Sequence, residues 1–303
     1  MTKKRKHTRA EQTLWVFAVL AVFLAVAVLN YNQKTSRRVN EEIHATLESY
    51  AQQQADHVRT VLSGQFDSLG AFASYLGQAG MEDTETFLNA ADAIRQTQEF
   101  YRITMADLDG NGMTNEGIQR NIKNLKEFQA AVKGEQTISE PFISSIEDGY
   151  LCVLLAVPIK NPQGEITGVL CGSYTAEQFG TLFLHDNFER NDASVLINGQ
   201  GDVIVASKDE EMVVGDKSLE NIYEKTKNEA FLDGHSVEDM EQAAKNQEKL
   251  VSLIQEGEQE YYVTQTPFGY NGWTLLSAMK RGEVDSSYAF VRTYAARLNL
   301  AFA

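Results

Sequence analysis

The stretch "ADLDGNGMTNEG" (106–117) sets Asp107, Asp109 and Asn111 at alternate positions ahead of Gly112. That is the first half of an EF-hand calcium loop, which needs oxygen ligands at its first, third and fifth positions and a bidentate Glu at its twelfth. The twelfth position here is Ile118, which offers no side-chain oxygen, and Glu116 comes too early. Asp-Gly and Asn-Gly pairs also supply the positive φ angles of a tight hairpin, so the stretch reads as a corner and no metal is expected. A second cluster, Arg120, Asn121, Lys123 and Lys126, gathers three cations in an acidic chain. Such a group suits an anionic ligand such as a carboxylate. Tyr101, Tyr150 and Tyr174 stand at the ends of strand-like runs, where they could rim a pocket. A plainer reading of the same residues, structural tyrosines and a solvated cationic face, is carried alongside.

Other reactive side chains are sparse. Cys152 and Cys171 lie in strand-like runs either side of "PIKNPQGEI". If Asn161 pairs with Gly164 across that turn, the two cysteines share a sheet face and are displaced diagonally. A disulfide suits an exported domain, and two buried thiols acting as small hydrophobes suit the same sequence. The five histidines, His7, His44, His57, His185 and His235, are scattered. No Gly-x-Ser-x-Gly, zinc-helix or phosphate-loop motif accompanies them, and runs such as "KDEE" and "EGEQE" read as solvated loops, so no enzymatic activity and no cofactor are expected.

The elements that must position these residues begin with "MTKKRKHTR", which holds five of the 27 basic residues. An uncharged run from Gln12 to Gln33 follows, long enough to cross a hydrocarbon core as a helix. The basic flank predicts a cytoplasmic N-terminus and an exported remainder. "AVA" (Ala25–Ala27) offers a signal-peptide cleavage site, but the length of the apolar run and the helical pattern that continues from it favour an uncleaved anchor. Setting the first ten residues aside leaves 22 basic against 42 acidic residues, a net charge of −20. That surface repels phosphate backbones and excludes nucleic acid as a partner.

From Ser36 to about Tyr75 apolar residues recur three or four apart, predicting a helical stalk, and Asp83 or Thr84 caps a second helix. Strands follow: "YRITMAD" and "GMTNEG" around the Asp-Gly corner, a polar helical stretch "IQRNIKNLKEFQAAVKGE", then "YLCVLLAVPI" and "GEITGVLCGSYT" as a hairpin. The second half repeats this outline with "ASVLINGQGDVIVAS", a helical stretch from about Ser218 to Gln255, then "QEYYVTQTPF" and "GWTLLSAMK". The fold class is therefore α+β, two copies of one unit. "LINGQGD" holds the place of "ADLDGNG" without an acidic pair, which favours the corner reading of both.

The apolar span, the long helix, the "DLDGNG" hairpin, "FQAAVKGEQTISEP", "AVPIKNPQGEITGVLCGSYTAEQF" and "VTQTPFGYNGWTLLSAM" together resemble the double Cache sensor domains of bacterial chemoreceptors, histidine kinases and diguanylate cyclases. The resemblance covers roughly residues 36–283. It implies two stacked PAS-like lobes, each an antiparallel sheet flanked by helices, along the long helix. The divisions expected are a cytoplasmic N-terminus (1–12), a transmembrane helix (13–32), a stalk helix (33–79), a membrane-distal lobe (80–182), a membrane-proximal lobe (183–283) and a C-terminal helix (284–303) leading to a second span. A homodimer, an output domain beyond the membrane and a small organic ligand in the distal lobe are implied as well. The amino-acid-sensing subgroup carries an Arg-x-Trp-Tyr element and a strand Asp. Leu125, Glu127 and Phe128 stand at the first set of positions and Ser173 at the last, so a standard amino acid is not the expected ligand. The residues expected around the ligand are Tyr101, Arg120, Asn121, Lys126, Tyr150, Ser173 and Tyr174. A ligand-free adhesion or scaffold domain shares every bulk feature of a sensor and stands as the alternative.

Overall fold

An uninterrupted run without glycine or proline from Arg9 to Ser63 permits one long helix, and α1 (Arg9–Ala79) is that helix. The structure is a computed structural model and describes residues 9–81, 83–144, 151–184, 193–206 and 221–287. Near its start α1 presents exposed Leu14, Trp15, Phe17, Phe23 and Leu29. Its most apolar 18-residue window has a mean hydropathy of 2.4, and the helix is long and apolar enough to cross a membrane. From Val39 buried apolar residues recur along α1, through Ile43, Leu47, Ala51, Val58, Leu62, Phe66, Leu69, Phe72 and Leu76. Gly80, with φ of +93°, ends the helix by donating its N–H to Leu76 O at 2.9 Å. Asp83 then caps α2 (Thr84–Thr97) by accepting from Thr86 N at 3.0 Å.

The chain forms two compact units, Glu48–Met279 and a smaller one made of Met1–Leu47 with Lys280–Ala303. The larger unit holds two antiparallel sheets. The first contains β1 (Arg102–Asp107), β2 (Asn111–Thr114), β3 (Gln119–Asn121), β4 (Thr137–Ile138), β5 (Phe142–Ile143), β6 (Leu151–Lys160) and β7 (Ile166–Thr175). Its order is β3-β2-β1-β7-β6-β4, with β5 also on β6; α3 (Lys126–Ala131) crosses over and α4 (Ala176–Leu184) follows. The second is built from β8 (Ala193–Ile197), β9 (Val203–Ala206), β10 (Ala230–Phe231), β11 (Leu250–Glu256), β12 (Gln259–Pro267) and β13 (Thr274–Lys280). Its order is β10-β11-β12-β13-β8-β9, with α5 (Ile222–Thr226) and α6 (Val237–Asn246) in the crossover and α7 (Arg281–Ser287) after it. In both sheets the opening hairpin joins the last strand, which joins the strand before it. The internal repeat is thus a repeat of topology.

One corner is built three times. Asp107 Oδ1 accepts from the N–H groups of Asp109 and Asn111, and Gly110 N donates to Asp107 O. Asn198 Oδ1 accepts from Gln200 and Asp202 in the same way, with Gly201 N donating to Asn198 O. Asn161 repeats the arrangement with Gln163, Glu165 and Gly164. Each needs a side-chain oxygen at its first position and a residue of positive φ at its fourth; Gly110 and Gly201 have φ of +81° and +89°. Asn121 locks the first corner by donating to Asp109 O and Asn111 Oδ1, and Asn221 locks the second by donating to Gln200 O and Asp202 Oδ1.

Strand alternation divides the side chains between two faces. Ile103 and Met105 of β1, Val153, Leu155 and Val157 of β6, and Leu196 and Leu275 of the second sheet pack in one cluster with the buried stripe of α1. The other face of the second sheet is filled: Val195, Ile197 and Leu276 meet Ile222, Tyr223, Met240 and Ala244 from α5 and α6. The other face of the first sheet gathers smaller side chains, Ala106, Ala156, Val169 and Cys171, with Phe128 and Ala131 of α3.

Three sequence readings change. "IQRNIKNLKEFQAAVKGE" is not one helix, because Asn121 ties its start to the first corner as an edge strand and only Lys126–Ala131 is α-helical. The stretch 218–255 is not one helix either. Gln247, with φ of +55°, ends α6, and β-branched and apolar Leu250–Glu256 then pairs with β12. The β6–β7 turn sets Asn161 opposite Glu165, and a bulge past Ile159 shifts the register further, so Cys152 faces Thr175 and Cys171 faces Ala156. Four residues of offset separate the cysteines by roughly 13 Å along the sheet, beyond a disulfide's reach of ~7 Å. Neither forms a disulfide, and both are buried. The C-terminal helix expected over 284–303 is described only as far as Ser287, and the rest lies outside the described residues.

Candidate functional site

The less tightly filled face of the first sheet carries a partly enclosed cavity of about 140 Å³. Its floor is three strands in register. Arg102 of β1 stands opposite Ser173 of β7, which stands opposite Leu154 of β6; one step along, Thr104 stands opposite Cys171. All five side chains line the cavity, with Cys152 further along β6. Its walls are Tyr101, Phe142 and Ser144 together with Arg120 and Asn121 of β3 and Ile122, Asn124 and Leu125 of the connection to α3. A few polar groups on a partly apolar wall are the composition of a small-molecule site. A larger groove of about 850 Å³ runs past the hairpin turns, bounded by Met81, Met105, Met113 and corner residues such as Asp107 and Asn161. It is the more open of the two, and the Asp107 and Asn161 side chains hold their own turns, so the smaller cavity is the better candidate.

Arg102 dominates the electrostatics. Its side chain is 3% exposed, and its Nη2 donates to Glu116 Oε2 at 2.9 Å, while the Glu116 side chain is 48% exposed. The guanidinium carbon lies 5.3 Å from the centre of the Tyr101 ring, a cation–π distance. Ser173 Oγ donates to Arg102 O at 3.3 Å, which ties the two strands together at the cavity floor. Burial, with the Glu127 charge adding to it, pushes the Cys171 thiol up to about 12, so it stays protonated and behaves as a small apolar wall.

Of the residues expected around a ligand, Tyr101, Arg120, Asn121 and Ser173 line this cavity. Asn121 also carries the corner-locking bonds that Asn221 makes in the second sheet, which gives it a structural task independent of any ligand. Lys126 opens α3, is exposed and is not part of the lining, and Lys123 reaches outward to Asp109 Oδ1 at 3.4 Å. Tyr174 lies on the opposite face, because adjacent strand residues cannot both face the cavity Ser173 faces. It is fully buried against Phe100 and Phe179 and donates its hydroxyl to Gln98 O at 3.2 Å. Tyr150 lies outside the described residues. The sequence reading passed over Arg102. The signal was available in "YRITMAD", where alternation puts an arginine at an inward position of an apolar strand, and buried arginines are rare unless they have a partner. Among the described residues no group of three or more His, Cys, Asp or Glu could hold a metal ion.

Aligning the two sheets on their corners, Asp107 with Asn198, fixes the equivalent positions. Arg102 corresponds to Ala193 and Thr104 to Val195; across the register Ser173 corresponds to Ala278 and Cys171 to Leu276. The polar side chains of the cavity floor stand where the second copy of the same scaffold carries alanine, valine and leucine.

The Cache domain family profile matches residues 31–288. No curated protein sequence matches the chain. Among solved structures, the ligand-binding domain of the Pseudomonas fluorescens chemoreceptor CtaA in complex with L-leucine is similar with a TM-score of 0.61 at 15% identity, covering 82% of this chain and 99% of that one. The Pseudomonas aeruginosa amino acid chemoreceptor PctB in complex with L-Arg gives 0.56 at 17% identity, covering 82% and 98%. The P. aeruginosa receptor PctC in complex with GABA gives 0.54 at 14% identity, covering 78% and 98%. At such identities the likeness is one of fold.

Proposed function

Because this chain belongs to the Cache domain family, we propose that it is the extracytoplasmic sensing part of a membrane receptor. Its ligand, a small organic molecule, occupies the cavity of the first sheet. In this reading residues 80–182 are the membrane-distal lobe and 183–283 the membrane-proximal lobe. The observation that carries it is the contrast between equivalent positions: the fold tolerates Ala193 and Ala278 where the cavity has Arg102 and Ser173. The polar set is therefore not needed to build the sheet, and recognition of a ligand accounts for it. The solved neighbours in complex with L-leucine, L-Arg and GABA support a small organic ligand. Leu125, Glu127 and Ser173, where the amino-acid clamps of the resembling subgroup would stand, argue for something other than a standard amino acid.

The route outward is α1, which carries both the apolar, membrane-length segment and the stripe under the first sheet. Ligand binding biases how that stripe packs, and a homodimer in the membrane converts the bias into a signal for an output module of the kinase, cyclase or chemoreceptor kind. A ligand drives such a shift only by preferring one state, typically through ~1–3 kcal/mol of coupling. The test is a thermal-shift screen of the 303-residue chain in nanodiscs against organic acids, amines and amino acids, repeated with Leu125→Trp. Leu125 is a half-buried wall residue, so an indole there fills the cavity without entering the core. Hits are expected to vanish in that variant. Hits that survive it unchanged place the binding site elsewhere.

A further inference from the structure

We infer that Arg102 is the anchor for a carboxylate group of the ligand, and that the ligand takes the guanidinium over from Glu116. The inference rests on the cavity being the ligand site and adds the chemical class of what enters it. Arg102 is held almost wholly inside, in register with Ser173 and beside Thr104, whereas Glu116 is half in solvent. The two ends of this ion pair are therefore unequal. Arg102 cannot leave without unpacking the cavity floor, and Glu116 can turn into water at little cost, since pairs with an exposed partner contribute little. A guanidinium fork matches a carboxylate in geometry as well as charge, and water exclusion inside the cavity strengthens the contact relative to the one with half-exposed Glu116.

The rest of the lining agrees with a small carboxylate. Thr104 and Ser173, whose Oγ donates to Arg102 O, add hydroxyls to the lining, and the exposed Arg120 adds a second cation to it. Leu154 and Phe142 face a short apolar tail. About 140 Å³ holds roughly five water-sized groups, the scale of propionate or pyruvate. In the second sheet the positions of the anchor and its register partner are Ala193 and Ala278, so the anchor is a property of the first cavity alone.

The experiment is calorimetric titration of the 303-residue chain in nanodiscs with propionate and pyruvate, using propionamide as the uncharged isostere. The wild type is expected to bind the carboxylates and discriminate against the amide. Glu116→Gln removes the competing carboxylate from an exposed site that does not build the core. It is expected to tighten propionate or pyruvate about two- to fivefold and leave propionamide unchanged. Arg102→Gln is expected to weaken the carboxylates about ten- to hundredfold. Arg102→Lys should fall between the two, because an ammonium keeps the charge and loses the fork. If the Arg102 variants do not fold, by circular dichroism, Glu116→Gln decides alone, since a merely structural ion pair predicts unchanged or weaker binding there. No response of the wild type to either carboxylate, or no gain in Glu116→Gln, overturns the anchor. Carboxylate binding that survives Leu125→Trp overturns the cavity reading instead.

Discussion

The two sheets of the larger unit are one scaffold put to two uses. The order of the four central strands, their antiparallel pairing, the Asx corner and the asparagine that locks it are common to both, whereas β4 and β5, of two residues each, stand where the second sheet has the seven-residue β11. They part at the face turned away from α1. In the second sheet the ten-residue α6, with a complete capping box at Ser236 and Asp239, and the shorter α5 bring Met240, Ala244, Ile222 and Tyr223 onto Val195 and Leu276. In the first sheet α3 is six residues long, lacks a side-chain cap, and brings mainly Phe128 and Ala131. The lesson is that the shared central strands do not by themselves decide whether this face is filled. The cavity follows from a shorter cover and from small or polar side chains on floor positions that are otherwise core.

The contrast is broken most directly by truncating equivalent positions. Leu276→Ala should cost about 2–5 kcal/mol, because its site is packed from both sides and cannot collapse fully. Cys171→Ala, at the matching position of the first sheet, should cost only about 1 kcal/mol, since the thiol already borders open space. Urea unfolding of the two variants measures both. Equal costs would mean that the first face is packed as tightly as the second, and the cavity would lose its standing.

A smaller effect sharpens what is shared. Gly110 and Gly201 occupy the positive-φ position of their corners, and a Cβ there would come within 2.6 Å of Lys123 N and 2.3 Å of the Tyr223 ring. Gly164 has the same backbone at φ of +86° with nothing within 4 Å. Alanine at Gly164 should therefore cost about 1–2 kcal/mol for conformation alone. At Gly110 and Gly201 overlap should add roughly 1–3 kcal/mol more, by a similar amount in each. Thermal unfolding midpoints rank the three. A mild Gly201→Ala beside a severe Gly110→Ala would show that the corners are not equivalent.

Much of this scaffold was legible in the sequence. Asp-Gly-Asn-Gly and Asn-Gly-Gln-Gly announce the opening corners, the apolar stripe announces α1, and near-continuous apolar runs announce β6 and β7. The crossovers were not legible, because polar periodicity in "IQRNIKNLKEF" resembles a helix until Asn121 is seen to bond back to the corner. β11 was hidden for a related reason: Leu250–Glu256 follows a true helix, and only the left-handed Gln247 separates them. The cavity was half legible. Choosing tyrosines at strand ends ignored strand parity, which puts Tyr174 in the core when Ser173 faces the ligand side. Arg102 was readable by that same parity, but an isolated cation in a strand draws less notice than three cations in a row. The wide separation of Cys152 and Cys171 reflects a turn that pairs Asn161 with Glu165 and a bulge past Ile159, neither of which a local signal in "PIKNPQGEI" specifies.

The smallest expected effect is none at all, and it concerns the acidic residues of the first corner. Asp107 looks like the leading ligand of a calcium loop, yet its oxygens already accept from Asp109 N, Asn111 N and Asn111 Nδ2 at 2.8–3.0 Å. Burial alone would raise its carboxyl, but hydrogen bonds from Asn111, Asp109 and Gly110 outweigh it and hold the group below the ordinary carboxylate value. A depressed carboxyl contributes stability above that ordinary value and loses it as pH falls through the folded one. Asn198 and Asn161 accept the same pair of backbone N–H bonds without a charge, and their Nδ2 donates to Asp202 and Glu165 where Asp107 Oδ2 accepts from Asn111 Nδ2, so the backbone of the corner needs an oxygen acceptor rather than an anion. Asp107→Asn should accordingly leave neutral-pH stability within about 0.5 kcal/mol and flatten the acid side of the pH profile. Melts of the wild type in calcium and in chelator should coincide, because an ion that bound the native state tightly would have to raise its melting temperature. A rise of several degrees in calcium, lost in Asp107→Asn, would make the first corner a metal site that the second is not and undo the equivalence on which Arg102 was matched to Ala193.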